Sequence, residues 1–508
     1  MSYILAYDFG TGGIKASLYD EQGVCLADGF EAYPTLYPQP GFHEQRPEDW
    51  WRATVASTRK LLSAAPVGAA EQIAAIGLSG HSLGVVPVDA DGNLLRSSVP
   101  IWSDSRPDVQ PAAFFEHVSE PEWYWLTGNG FPPPLYSVFK LMWFRDREPE
   151  MFGRIRTVLG TKDYINFRLT GVRATDGSYA SGSGVYDLKA RRYSPRLMAA
   201  AGLSPDLFAE IVPSTQVLGT LTAAAAQELG LPRSVKVVAG GVDNSCMSLG
   251  AGAFREGRAY NSLGSSSWIA VSSSAPLLEA TKRPYVFDHV VPGQYVSALA
   301  IFAAGTAFSW VRDQLCRDLI ERAAHEKVNV YDLMTAEAAT APVGANGVLF
   351  NPTLAGGNSL DATPALRGAF ANLDLRHTRA DLLRAAMEGG ALGLRNVLDE
   401  LRALAPVAAP LTLVGGGANS PFWRQIYADV YHMSVVRTRA GQQAAALGAA
   451  AVAGVGVGLW KDFGIIDEIS AVTDRAEPRE DAAAEYETRL ASYRRLSGFL
   501  GKWAEKQV

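Results

Sequence analysis

Two acids and three turns of small residues are the parts of this chain that could do chemistry. Asp8 opens Asp8-Phe9-Gly10-Thr11-Gly12-Gly13, and Asp243 ends Gly240-Gly241-Val242-Asp243. Two further turns read Gly264-Ser265-Ser266-Ser267 and Gly415-Gly416-Gly417-Ala418-Asn419-Ser420. A glycine turn after a buried strand lets backbone N–H groups approach an anion with no Cβ in the way, so each turn could hold phosphate. None has the G-x-x-x-x-G-K-[ST] pattern of a P-loop, and none shows G-x-G-x-x-G opening a helix, which argues against a dinucleotide site. Phosphate would then be held by backbone dipoles, hydroxyls and a divalent cation, with a carboxylate positioning the cation and its waters. Taken singly, such turns also arise from close packing; three of them together with two acids point to phosphate chemistry.

The elements that must position these residues follow from the apolar patterning. Residues 3–8 read as a buried strand running into the first glycine turn. Residues 14–19 and 24–28 continue as strands through Asp20-Glu21-Gln22-Gly23, a β-meander opening a mixed sheet. Residues 47–64 have helical spacing with Glu48 and Asp49 in the first turn, and 73–79 read as the next strand, so helices layer on a sheet. Residues 83–100 read as a hairpin turned at Asp91-Gly92-Asn93. Helices are expected over 138–146, 162–169 and 195–201, and a buried strand over 235–239 leads to Asp243. After a Gly-spaced boundary at Gly250, Gly252 and Gly257 the opening theme recurs as strand 258–263, small-residue turn, strand 268–272. That recurrence, faint in residue identity, suggests two related lobes. Helix 379–404, strand 411–414, helix 421–431 and an outer charged helix 479–505 follow.

Length and composition set the outer limits. At about 150 residues per domain, 508 residues mean two to four domains or two large ones. Hydrophobic residues at 48% and charged residues at 19% exclude disordered and fibrous classes. A formal charge of −6 offers no positive field to gather nucleic acid. Cys25, Cys246 and Cys316 lie far apart with no C-x-x-C pair, which argues for a reducing, cytoplasmic setting and against a disulfide framework or zinc. The start, Met-Ser-Tyr-Ile-Leu-Ala-Tyr-Asp, has no basic region and reads as a strand rather than a signal peptide. The Ala- and Gly-rich run 444–460 falls short of the roughly 20 strongly apolar residues of a membrane span and reads as a close-packed internal helix and loop.

Several segments, in order along residues 3 to about 453, resemble the FGGY family of carbohydrate kinases. They are the Asp8 turn through Lys15, Gln39-Pro40-Gly41-Phe42-His43-Glu44-Gln45 with Asp49-Trp50-Trp51, and Trp102-Ser103-Asp104-Ser105-Arg106. Lys140-Leu141-Met142-Trp143, Lys162-Asp163-Tyr164, the Asp243 segment through Asn244, Leu263-Gly264-Ser265-Ser266 and the Gly415 turn continue the match. So does Gly368-Ala369-Phe370 with the stretch Asp381 to Glu388, although Asn372 stands where glycine is usual. The nearest branch looks like the xylulokinases. The resemblance implies an α/β fold of two lobes of the actin-like ATPase, ribonuclease H-like type, each a mixed sheet with flanking helices, with ATP and sugar meeting between them. It implies lobes at 1–248 and 249–455 and a helical tail at 456–508. By the same carry-over Asp243 is the catalytic base and Asp8 orients magnesium, through water or the nucleotide. Thr11, Gly12, Gly264 and Ser265 contact phosphates, and Gly416, Gly417, Ala418 and Asn419 form the adenosine-site turn. Ala303-Ala304-Gly305-Thr306 is a looser match that adds Gly305 to the ATP contacts.

The sugar side departs most. Where xylulokinases read Ser-Gly-Gln-Met-His-Gly, this chain has Ser79-Gly80-His81-Ser82-Leu83-Gly84, with imidazole two positions early and Leu83 in place of the usual histidine. A leucine cannot hydrogen-bond a hydroxyl, so the pocket must use other donors or take another substrate. His81 is either the substitute or a core histidine, and Lys140 either a site residue or a helix lysine with its head in solvent. Asp104 and Asn244 are expected polyol-binding groups, with Ser82 in the same segment and Trp102 as an apolar wall. The expected activity is ATP- and magnesium-dependent phosphorylation of a ketopentose hydroxyl. The rivals are a kinase for another ketose, tetritol, pentitol or deoxy-sugar, and a non-catalytic sugar- or nucleotide-binding regulator. A chaperone-type ATPase would need a peptide-binding domain that the sequence does not append. Neither nucleic acid nor membrane is an expected partner, and a homodimer is compatible with the sequence.

Overall fold

The computed structural model describes residues 2–302 and 304–506. Its first strand, Tyr3–Gly10, pairs antiparallel with Gly13–Tyr19 and parallel with Ile73–Gly80. The sheet continues from Gly13–Tyr19 to Cys25–Ala32 and, on the other side of Ile73–Gly80, to Lys236–Val238 and Val217–Thr220. A short strand, Gly241–Val242, also pairs with Ile73–Gly80 and delivers the chain to Asp243. Tyr3–Gly10 and Ile73–Gly80 are buried nearly throughout, which is why they read as apolar runs rather than as alternation. Helix Pro47–Ala64 starts on a proline whose missing N–H costs nothing in the first turn. It buries Trp50 into a core with Tyr7, Phe9, Ile14 and Leu78.

Only the tip of the expected 83–100 hairpin forms, with Val88 bridged antiparallel to Leu94 and the Leu95 N–H donating to the Pro87 carbonyl at 3.1 Å. Asp89 and Asn93 do close a turn, with the Asp89 N–H donating to the Asn93 carbonyl at 3.0 Å. The flanking strands find other partners, however: Val86–Val88 pairs with Thr157–Leu159, and Val99–Pro100 with Glu44–Gln45. A turn signal fixes local geometry but not strand partners, which here are set by burial of Val86, Val88 and Val99.

The chain gathers into two compact units. The first holds the chain up to Glu256 together with Ser272–Ser297 and Gln443–Ala471; the second holds Gly257–Val271, Ala298–Gln442 and the chain from Val472 onward. A division at residues 248 and 455 does not follow this packing. The reason lies in helix Ala444–Gly456, which belongs to the first unit. A Cβ on Gly448 would overlap the Cys246 carbonyl, and one on Gly250 the Ala444 carbonyl, so this helix and Asp243–Gly250 touch backbone to backbone. The uncharged run therefore serves close approach. Gly448→Val is expected to force the two helices apart, at the upper end of the roughly 1–3 kcal/mol of overpacking or beyond. The check is a urea unfolding curve; an unchanged midpoint would contradict the contact.

In the second unit Ala259–Leu263 and Ser267–Ser273 form an antiparallel hairpin across the Gly264 turn. Leu411–Val414 pairs parallel with Ala259–Leu263, followed by Val435–Thr438 in parallel and Val472–Ala476 antiparallel. Hairpin, small-residue turn and a parallel neighbour thus occur once in each unit. Helix Arg379–Leu404 starts in a capping box between Thr378 and Asp381. Its buried Glu388 accepts from Arg384 and from Tyr486 of the C-terminal helix Glu480–Glu505, both at 2.7 Å. Among the described residues no helix is long and apolar enough to cross a membrane.

Candidate active site

Strand register brings the two acids of the first unit close to one another. Asp8 lies opposite Ser79, whose hydroxyl donates to Asp8 Oδ1 at 2.9 Å. Gly241 and Val242 pair with Ser79 and Gly80, so Asp243 leaves the sheet on the far side of that same strand, as the first residue of helix Asp243–Gly250. Burial raises the Asp8 carboxyl above its ordinary range, against the pull of Lys15 and the Ser79 hydroxyl. Asp243 is pushed up to about 7, first by burial and then by the negative charge of Asp8, while the Asn244 N–H, at 2.7 Å from Asp243 Oδ1, opposes both. A carboxyl that changes protonation near neutral pH is suited to accept a proton from a weakly acidic hydroxyl.

The first glycine turn is tied down from behind. Tyr33 donates to the Gly10 carbonyl at 2.6 Å, Gln45 Nε2 to the Thr11 carbonyl at 2.7 Å, and the Trp102 indole N–H to Thr11 Oγ1 at 2.8 Å. Gly12 remains exposed. Trp102, expected as an apolar wall, therefore also links the sugar-side segment to the Thr11 turn.

The remaining sugar-side residues are mostly engaged by the protein itself. Leu83 is 1% exposed, in the left-handed region at φ 62°, and its side chain joins an apolar cluster with Val85, Phe114 and Phe139. What this position presents is its carbonyl, which accepts from Lys140 Nζ at 3.0 Å. Lys140 is fully buried and also donates to the Ile101 carbonyl at 2.7 Å, which overturns the reading of a helix lysine with its head in solvent. Burial pulls its pKa down to about 7. His81 is buried as well, edge-on to Trp50 at 5.9 Å and within 3.2 Å of Thr161 Oγ1, and burial holds it neutral with a pKa of about 4. Asp104 is inaccessible; Arg106 donates to both its oxygens at 2.8–2.9 Å, and the His43 N–H to one at 2.8 Å. It braces the loop rather than offering a vacant carboxylate. Ser82 keeps partial exposure, whereas Asn244 is nearly buried.

The second unit contains a pocket of about 720 Å³ lined by Gly264, Ser265, Gly305, Gly416, Gly417 and Asn419. Strand pairing explains the grouping, since the parallel strands Ala259–Leu263 and Leu411–Val414 end side by side and release the two turns together. Gly305 enters because helix Ala304–Leu315 approaches the Gly264 turn so closely that any Cβ there would overlap the Gly264 carbonyl. Thr306 adds a hydrogen bond to the Ser265 carbonyl at 3.0 Å, and Ala303 lies outside the described residues. Ala418 departs from expectation: it is 1% exposed and turned inward, its carbonyl accepting from Arg424 at 2.7 Å. The sequence reading missed the aromatic wall, in which Phe308 stacks on Tyr331 at 5.9 Å and meets Trp423 at 5.1 Å, with Thr335 nearby in the lining. These residues sit on amphipathic helices without a motif, and only Trp423, three residues after Ser420, lay close to a recognised turn.

Comparison with known proteins identifies the chain. The model of the FGGY family of carbohydrate kinases matches with its N-terminal domain over residues 3–250 and its C-terminal domain over residues 259–457. A xylulose kinase of Bacillus subtilis (strain 168) is 30% identical over 471 residues, covering 91% of this chain and 90% of that protein. A gluconokinase of the same organism is 27% identical over 502 residues, covering 98% and 96%. The crystal structure of a xylulose kinase from Rhodospirillum rubrum aligns with a TM-score of 0.87 at 29% identity, over 99% of this chain and all of that one. With both domains matched in order, the chain belongs to the FGGY family of carbohydrate kinases.

Proposed function

We propose that this ATP-dependent sugar kinase transfers the γ-phosphate to a primary hydroxyl of a neutral ketopentose of the xylulose type. The observation that carries this reading is Asp243, poised near neutrality beside Asp8. As the acceptor hydroxyl attacks phosphorus its acidity rises, and Asp243 takes the proton while ADP leaves with the electrons of the broken bond. The pocket lined by Gly264, Ser265 and the Gly416 turn suits the nucleotide, its small residues cradling phosphates and its aromatic wall facing a base. In the first unit, the Thr11 and Gly12 turn has the small residues and free approach that suit a phosphate contact of its own.

Among the described residues no group of three or more His, Cys, Asp or Glu side chains could hold a metal ion. The buried Asp8 carboxylate fits the water-mediated role, and would hold waters of a magnesium ion carried by the nucleotide. Such an ion supplies charge neutralisation on the phosphates.

Engaged cations support a neutral substrate over an aldonate. Arg106 is taken by Asp104 and Glu44, Lys162 by Asp163 and Asp176, and Lys140 by two carbonyls, while His81 is neutral. A substrate carboxylate would instead meet the charges of Asp8 and Asp243. The curated relatives include both a xylulose kinase and a gluconokinase, so the test is coupled ADP release on D-xylulose, D-ribulose, pentitols and gluconate, with Asp243→Ala as control. D-xylulose is expected to give the highest kcat/KM and gluconate a value at least about 100-fold lower. Gluconate turned over as well as D-xylulose would overturn the neutral-substrate reading.

A further inference from the structure

We infer that Ser178, backed by the buried Lys162–Asp176 ion pair, is the positioning residue that sets the place of Asp243; the inference rests on Asp243 acting as the base. The Val242 N–H, the amide just before Asp243, donates to Ser178 Oγ at 2.9 Å. The Ser178 hydroxyl in turn donates to Asp176 Oδ2 at 2.5 Å, and Asp176 Oδ1 lies 2.9 Å from Lys162 Nζ. Lys162, Asp176 and Ser178 are at most 1% exposed.

A carboxylate that draws off the hydroxyl proton makes the hydroxyl oxygen a better acceptor, so the Ser178 link to Val242 is stronger than one to an isolated serine. Lys162 stabilises that carboxylate and reaches the same segment directly, donating to the Ala239 carbonyl at 3.2 Å, which Asn166 also engages at 2.8 Å. The Gly240 N–H is bonded to the Ser214 carbonyl at 3.0 Å. Residues 239–242 are thus held from one side by this network and from the other by pairing with Ser79 and Gly80, the strand that also carries the Asp8 partner. Because Val242 flanks the helix without a side-chain cap, the Ser178 bond is what the last peptide before Asp243 has on that side. Displacement of a reacting group by about 1 Å can cost about 100-fold in rate, so a single hydroxyl here has leverage on turnover without touching substrate.

Ser214 provides the control. Its hydroxyl donates to the same Asp176 oxygen at 2.8 Å but makes no bond to Val242. Ser178→Ala, Ser178→Thr, Ser214→Ala and Asp243→Asn are compared with wild type for kcat, both KM values and melting temperature. Ser178→Ala is expected to lower kcat about 10- to 100-fold with both KM values within about twofold. Ser178→Thr should recover most of the loss, and Ser214→Ala should keep kcat within about threefold while melting no higher than Ser178→Ala. Wild-type kcat in Ser178→Ala overturns the inference, as does an equal kcat loss in Ser214→Ala or a loss carried by the sugar KM. Turnover above one tenth of wild type by Asp243→Asn would instead remove the reading of Asp243 as base, so the two failures are distinguishable.

Discussion

Asp243→Asn is expected to abolish most turnover, lowering kcat by about 10²- to 10⁴-fold, the range of a positioned proton acceptor. The amide keeps the size of the carboxylate and can still accept the Asn244 N–H, so binding of sugar and nucleotide should change little. As the proposed base, Asp243 works in wild type only when deprotonated. With its pKa pushed up to about 7 by burial and by Asp8, kcat should rise tenfold per pH unit below that midpoint and level off above it. Asp8→Asn removes the negative charge that helps hold the midpoint up, so the rising limb of whatever turnover survives should move to lower pH. The stability sign runs the opposite way. A carboxyl whose folded pKa lies above its unfolded value keeps its proton in the folded state over a window where the unfolded chain has released it. That group therefore favours folding at low pH and loses this contribution as pH rises toward 7. Asp243→Asn should accordingly melt no lower than wild type at pH 8, which separates lost chemistry from lost structure. Turnover above one tenth of wild type in Asp243→Asn, or a flat rate between pH 5.5 and 8, would exclude Asp243 as the base.

The pieces of this site legible in the sequence were those whose function depends on local geometry. Glycine turns at residues 10–13, 264–267 and 415–420 follow apolar strands directly, so they read out from spacing alone, as did the helices Pro47–Ala64, Pro195–Ala201, Arg379–Leu404 and Pro421–Tyr431. What could not be read is what depends on long-range partners. Lys162, Asp176, Ser178 and Val242 are spread over 80 residues, and nothing in their spacing announces a chain of hydrogen bonds. Val86–Val88 keeps only the Val88–Leu94 bridge of the expected hairpin and takes its strand partner about 70 residues away. Leu83 reads as a lost sugar contact from its side chain; the fold turns that side chain into the core and uses the carbonyl. Lys140 left two readings open for a related reason. A lysine on an amphipathic helix is ordinarily solvated, and only the two carbonyls it meets explain its burial.

Arg106→Leu is expected to be the most damaging single change to stability. The guanidinium grips Asp104 with Nε and Nη2 at 2.9 and 2.8 Å, shares Nη2 with Glu44 at 2.6 Å, and lies over the Phe42 ring at 4.3 Å. The Arg106 and Asp104 side chains have no solvent access, and Glu44 is 5% exposed. An ion pair so buried is weak evidence of net stabilisation, because both charges lost their water. Removing one partner is another matter. It leaves Asp104 in the interior without its cation and Glu44 with only the longer Arg96 pair at 3.2 Å, at a cost of about 3–5 kcal/mol, enough to lower the melting midpoint by roughly 10 °C. The pH dependence identifies the cause. In wild type, burial would raise the Glu44 pKa, but hydrogen bonds from Ser98 and Arg106 hold it below the ordinary range. Its contribution is therefore present at neutral pH and lost on acidification. Without Arg106 the burial is opposed only by Ser98 and Arg96, so Glu44 takes up a proton at higher pH and its weakly paired charge disappears. The deficit of Arg106→Leu against wild type should accordingly be largest near pH 7.5 and shrink by pH 5, whereas a deficit due to lost packing alone would not change. Arg106→Lys should fall in between, since a point charge cannot reproduce the two-pronged grip or the stacking on Phe42. Because Asp104 also accepts the His43 N–H and Trp102 reaches back to Thr11, the damage should extend to the Thr11 turn, proposed above as a phosphate contact, and appear as a raised KM for ATP at temperatures where the variant is folded.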